Sequence, residues 1–178
     1  MTEHKLRNIP YKKISLGGLT ILRALLGVIF IGAGTSKLVS DDFGREMMIA
    51  FLAANESMMF DFYRVFIDGV VLQLPSLFAV SVAFGELALG LSLVLGANIK
   101  YSTVLGVFML TNFMFAKGVF LWSFGGDQLF VALLALMFAT KAGAYWGLDG
   151  YWSNKRARVE VNNTESNQQA TSETDSFS

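Results

Sequence analysis

Apolar residues in this chain are gathered into long runs. Residues 16–38, 77–97, 101–122 and 128–148 each approach the ~20 residues that a helix needs to cross a bilayer. At about 100° per residue, Arg23, Gly27, Phe30, Gly34 and Lys37 fall on one face of the first run. The second run carries Ala88, Ser92 and Gly96 at four-residue spacing, with Gly90 one turn beyond Glu86. Small residues in such stripes let neighbouring helices approach closely, so both stripes are expected as packing seams. Between these runs, residues 39–76 form a long loop with a pattern of its own. Asp61, Arg64 and Asp68 share one helical face with two favourable ion pairs along it, and Phe60, Phe62, Tyr63, Val65, Phe66 and Ile67 cover the rest. Three charges make a poor spanning helix but suit an amphipathic one lying in the outer interface, with the shorter run at 47–54 beside it. Two readings of this segment stand: a cap on the bundle, and a lid over a substrate entrance.

The pattern therefore predicts an all-α integral membrane protein: a four-helix bundle over residues 16–152, with an interfacial helix in its first outer loop. Composition agrees, with 53% hydrophobic residues, 16% charged residues and a mean hydropathy of +0.49 over 178 residues. Formal net charge is zero, which gives no electrostatic case for nucleic acid. Cysteine is absent and the single histidine, His4, lies in the basic N-terminal tail at 1–15. Thiolate chemistry and iron–sulfur clusters are thereby excluded, and no metal site or motif-bound cofactor is expected. Electron transfer would need a diffusible carrier or a partner subunit. Lys5, Arg7, Lys12, Lys13, Lys100, Lys155, Arg156 and Arg158 collect on one side of the membrane, against Arg45 and Arg64 on the other. Both termini are therefore expected in the cytoplasm. From 153 to 178 the chain turns polar and is expected to be disordered.

Charges inside the runs carry the functional question, because one at the bilayer centre costs about 2.5–3.5 kcal/mol even on the mildest insertion scale. Glu86 is expected near the midplane, with Arg23 and Lys141 nearer the cytoplasmic side at similar depth. This carboxylate and two cations form the candidate site, with Glu86 as proton acceptor or relay and the cations holding an anion or a quinone oxygen. Asn112, central in the third run, joins it as a group able to polarise a bound carbonyl or to bond between helices. Lys37, Lys117 and Asp127 form a second charged cluster nearer the outer surface, where they can also snorkel to the interface. For Arg23 and Glu86, a structural ion pair and a functional pair are equally open.

Three segments follow in order: Leu22-Arg23-Ala24-Leu25-Leu26-Gly27-Val28-Ile29-Phe30 running to Gly34-Thr35-Ser36-Lys37-Leu38, then Gly85-Glu86-Leu87-Ala88-Leu89-Gly90, and the closing Ala142-Gly143-Ala144-Tyr145-Trp146-Gly147-Leu148-Asp149-Gly150-Tyr151-Trp152. Together they resemble the DoxX/DoxD family of membrane proteins, and the closing segment is nearer its DoxD branch. The resemblance implies a four-helix bundle in a bacterial or archaeal cytoplasmic membrane. For that branch it also implies a subunit of a thiosulfate:quinone oxidoreductase, with membrane quinone as electron acceptor, and the lack of a flavin or metal motif favours a small partner subunit. A non-catalytic scaffold subunit of a membrane complex is the alternative. A small carrier is a third, opposed by the lack of inverted repeats. The small-residue seams also allow a homo-oligomer.

Overall fold

The computed structural model describes residues 11–120, 123, 125–140, 142–144 and 147–160. Among these the regular elements are all helices: α1 (Tyr11–Leu38), α2 (Arg45–Asn55), α3 (Asp61–Gly69), α4 (Pro75–Leu95), α5 (Ile99–Ala116) and α6 (Gly126–Ala139), with 3-10 turns at Val71–Gln73 and Ala142–Ala144. Residues 148–160 are also helical. The segments Gly17–Leu38, Pro75–Leu95 and Ile99–Ala116 are long and apolar enough to cross a bilayer, and α6 is a shorter apolar helix. Their outward faces carry large apolar side chains, among them Ile21, Leu25, Tyr101, Leu105 and Phe108. In water such a surface would aggregate, whereas in hydrocarbon it is the expected exterior. The chain is an integral membrane protein.

The two longest helices, α1 and α4, make the closest pair. A methyl group on Gly90 would come within 2.7 Å of the Gly27 carbonyl oxygen, and one on Gly34 within 2.8 Å of the Ala83 carbonyl oxygen. The α1 stripe foreseen as a packing seam therefore meets α4 at Gly90 and Ala83, while Ala88 of the second stripe is exposed towards the space between α4 and α5. The Gly90 and Ala83 contacts set an antiparallel register in which Gly27 lies level with Gly90 and Gly34 with Ala83. α5 packs on α6 and more loosely on α4. Leu26, Phe30, Leu89, Leu93, Leu110, Leu134 and Met137 from all four helices fill the core.

α2 and α3 lie across one end of the bundle. Proline at the start of α4 and the left-handed Gly96 (φ 65°) at its end fix the length of that helix. α3 turns Tyr63 and Ile67 inward and leaves Phe62 and Val65 exposed, as its amphipathic pattern requires. Its charges do not pair as foreseen: the described ion pairs do not include Asp61–Arg64 or Arg64–Asp68, and Arg64 donates to the Glu56 carbonyl at 2.7 Å. Satisfying that orphan carbonyl at the end of α2 ties the two short helices together.

Three boundaries differ from expectation. α1 already covers residues 11–15 of the expected basic tail, whose residues 1–10 lie outside the described residues. The fourth apolar run yields a helix ending at Ala139 and then a 3-10 turn at Ala142–Ala144, although its apolar pattern continues to 148. Gly143 lies within that turn, where a side chain would run into Ile99 and Asp149. Finally, residues 153–160 are helical. Lys155, Arg156, Ala157, Arg158 and Glu160 are good helix formers, and the Asn/Ser/Thr/Gln-rich composition starts only beyond them, at 161–178, outside the described residues.

Candidate functional site

Register decides which charge meets Glu86. Lys37, one turn past Gly34 on the same face of α1, reaches across the seam and places Nζ 2.8 and 2.6 Å from the two carboxylate oxygens of Glu86. Glu86 is 4% exposed. Arg23, 1% exposed, lies at the other end of the seam beside Gly96, ten residues or about 15 Å along α4 from Glu86. The expected Arg23–Glu86 pairing is thus corrected: depth along each helix taken alone brings Arg23 near Glu86, while the Gly27–Gly90 and Gly34–Ala83 contacts shift the partner to Lys37. Lys141 lies outside the described residues.

Arg23 has its own surroundings. It donates from Nη1 to the Ala142 carbonyl at 2.7 Å, and Asp149 acts on it electrostatically. The Asp149 carboxylate also accepts from the backbone N–H groups of Asn98 (2.7 Å) and Ile99 (3.1 Å), while its own N–H donates to the Gly96 carbonyl at 3.0 Å. Asn98 makes no side-chain cap of its own, so a residue some fifty positions away caps α5. Arg23 and Asp149 together return the chain after α6 to the end of the bundle where α4 passes to α5. Asp149 stood within the aromatic-Gly-Leu-Asp segment, but its capping role has no local sequence signal.

The cluster of Lys37, Lys117 and Asp127 does assemble, and Glu86 belongs to it. Lys117 and Asp127 pair at 2.7 Å, with Lys117 Nζ 6.0 Å from the centre of the Phe113 ring. Both ion pairs face one cavity of about 300 Å³, walled by Phe30, Phe51, Leu110, Phe113 and Phe130.

Asn112 faces a different space. A cavity of about 390 Å³ runs between α4 and α5 beneath α2 and α3, lined almost wholly by apolar side chains including Leu52, Ile67, Phe78, Leu89, Leu105 and Met109. At its edge the Tyr63 hydroxyl donates to Asn112 Oδ1 at 2.8 Å, and Asn112 Nδ2 donates to the Phe108 carbonyl at 2.7 Å. Burial pushes the Tyr63 phenol up to about 12, so it remains a protonated donor at neutral pH. Tyr63 is a residue the sequence had shown only as part of an amphipathic face. Met48, Phe51, Val82 and Phe113 line both cavities, forming a partition between the apolar space and the charged one.

A family model, DoxX, matches residues 18–118. The chain belongs to the DoxX family. The matched stretch runs from α1 to the end of α5 and includes Arg23, Lys37, Glu86, Asn112 and Lys117. It stops before α6 and the closing segment that carries the DoxD likeness. Searches of curated proteins and of solved structures found no match.

Proposed function

We propose that this DoxX-family protein is the membrane component of a quinone-linked oxidoreductase, with thiosulfate as the donor suggested by the likeness of its closing segment to the DoxD branch. The observation that carries this reading is the pair of cavities sharing the Met48–Phe51–Val82–Phe113 partition. A quinone needs an apolar slot reached from the bilayer, and the space between α4 and α5 has that chemistry, with the Tyr63–Asn112 pair as its polar end. Reducing a quinone to a quinol takes up two electrons and two protons. Protons do not cross hydrocarbon unaided, so a reduction inside the bilayer requires a protein group that holds and passes them. Glu86, on the far side of the partition and held by Lys37, is that group in this reading. Electrons come from the donor through a partner subunit, since the chain has no cysteine and its single histidine lies at position 4. Arg23 and Asp149 then serve architecture rather than substrate. The distribution of lysine and arginine supports a cytoplasmic location for both termini.

Membranes containing the protein, alone and with candidate partner subunits, should reduce a quinone analogue when given thiosulfate. Glu86→Gln should lose most of that turnover while retaining its folded yield. No reduction by wild type in any combination overturns the proposal. One observation favours a scaffold instead: both carboxylate oxygens of Glu86 lie within hydrogen-bond distance of Lys37, a closed pair suited to fixing helix register. Under that reading Glu86→Gln lowers folded yield and leaves turnover per folded molecule unchanged.

A further inference from the structure

Access to Glu86 is graded, and the gradient points one way. Along the walls of the charged cavity, side-chain exposure falls from 35% at Lys117 and 30% at Lys37, through 19% at Asp127, to 6% at Glu86. Lys37 ends α1, Lys117 follows α5 and Asp127 opens α6, so the exposed members all lie at the end of the bundle crossed by α2 and α3. In the opposite direction lies a tight apolar layer. Leu26, Leu89, Leu93, Leu134 and Met137 are each at most 4% exposed and pack into one cluster between Glu86 and the Arg23–Asp149 end.

We propose that the charged cavity is a hydrated vestibule giving the Glu86–Lys37 pair water and proton exchange with the aqueous phase on the α2/α3 side of the membrane alone. Its roughly 300 Å³ accommodates several waters at ~30 Å³ each, and four charged side chains supply the polar partners that buried water requires. The charged and titratable groups facing it are Lys37 from α1, Glu86 from α4, Lys117 after α5 and Asp127 from α6, while α2 contributes Met47, Met48 and Phe51. Lys117 and Asp127 form the mouth and Glu86 the floor. Among the described residues the layer beneath Glu86 holds only the Ser92 and Thr103 hydroxyls, each already donating to a backbone carbonyl (Ala97 and Ile99), and no titratable group, so a proton cannot cross it at a useful rate. The vestibule stands on this geometry whatever the protein's substrate. Its functional consequence, that the protons used in quinone reduction are drawn from the α2/α3 side, rests on the oxidoreductase reading.

The absence of native cysteine makes the test clean. Single cysteines are placed at Ala33 and Ala79 on the vestibule wall, at Leu93 in the apolar layer, at Ser57 between α2 and α3, and at Ser153 on the opposite side. Sealed vesicles of both orientations are treated with a charged, membrane-impermeant methanethiosulfonate. Ala33→Cys and Ala79→Cys should react only in the vesicles in which Ser57→Cys reacts, at rates at least an order of magnitude above Leu93→Cys. Reaction in the Ser153→Cys orientation, or no reaction above the Leu93→Cys level in either, overturns the vestibule. Two positions are used so that one misfolded variant leaves the other informative. Labelling as expected together with no quinone reduction would retain the vestibule and remove the oxidoreductase reading.

Discussion

Replacing Lys37 by Met tests the central pair most directly, because the two partners are unequally placed. Glu86 has a short side chain, 6% exposed, that cannot reach the surface, whereas the longer Lys37 side chain is already 30% exposed. Removing one partner of a fully buried ion pair costs about 3–5 kcal/mol, nearly all of it from stranding the other charge. Partial exposure of Lys37 and water in the cavity reduce this, so Lys37→Met should destabilise by about 2–3 kcal/mol. Glu86→Gln strands a lysine that can swing outward, and should cost only about 1 kcal/mol. In the double variant no charge is stranded, so its loss should stay near that of Glu86→Gln and the single effects should fail to add by about 2–3 kcal/mol. Reversible unfolding in mixed micelles of increasing SDS fraction, followed by tryptophan fluorescence, measures all four corners of this cycle. Equal single effects that add to within ~0.5 kcal/mol would refute the argument.

The α1–α4 seam should be less forgiving than the pair. Gly90→Ala drives a methyl into the Gly27 carbonyl oxygen and the Ile31 backbone, and should cost at least about 2 kcal/mol or abolish folded yield, whereas Gly32→Ala, with open space around it, should be nearly neutral in the same assay. Asp149→Asn weakens a charge-assisted cap at the start of α5 and the field on Arg23, and should lower stability by about 1–2 kcal/mol. Tyr63 predicts a pH dependence. Its folded value of about 12 lies above the ordinary 10.0, so its contribution is complete below pH 10 and is lost as pH rises towards 12. Tyr63→Phe should remove that part of the alkaline loss of stability, and an unchanged alkaline profile would refute it.

Sequence pattern carried the fold a long way. Three spanning helices, the amphipathic α3 and the small-residue seam of α1 follow from hydrophobic periodicity, because lipid selects for composition residue by residue. The candidate site was legible in its members but not in its pairing. Arg23 and Lys37 share a face of α1, and which of them meets Glu86 depends on the sliding register of two antiparallel helices, a property of the pair. Matching Gly27 to Gly90 and Gly34 to Ala83 would have pointed to Lys37, since it places Glu86 level with the last turns of α1. The end of α6 was hidden for a similar reason. Ala142–Ala144 reads as apolar helix until Asp149, brought from further along the chain, takes the α5 N–H groups and leaves no room for a side chain at Gly143.

The short α6 has a consequence for the lipid itself. Its 14 residues span about 21 Å, against a hydrocarbon layer of about 30 Å. After it, the Ala142–Ala144 turn and Asp149 join the end of the bundle where α4 passes to α5, so the apolar length on this side is set by α6 and a short 3-10 turn rather than by a spanning α-helix. A mismatch of this kind is met by thinning of the bilayer along the α6 side, while the apolar Gly17–Leu38 segment of α1, 22 residues long, spans an ordinary hydrocarbon layer. The protein is accordingly expected to sit in an asymmetric dimple. Its stability in vesicles of graded acyl-chain length should peak at short chains, and two copies in one membrane would lower the cost of deformation by turning their α6 sides toward each other.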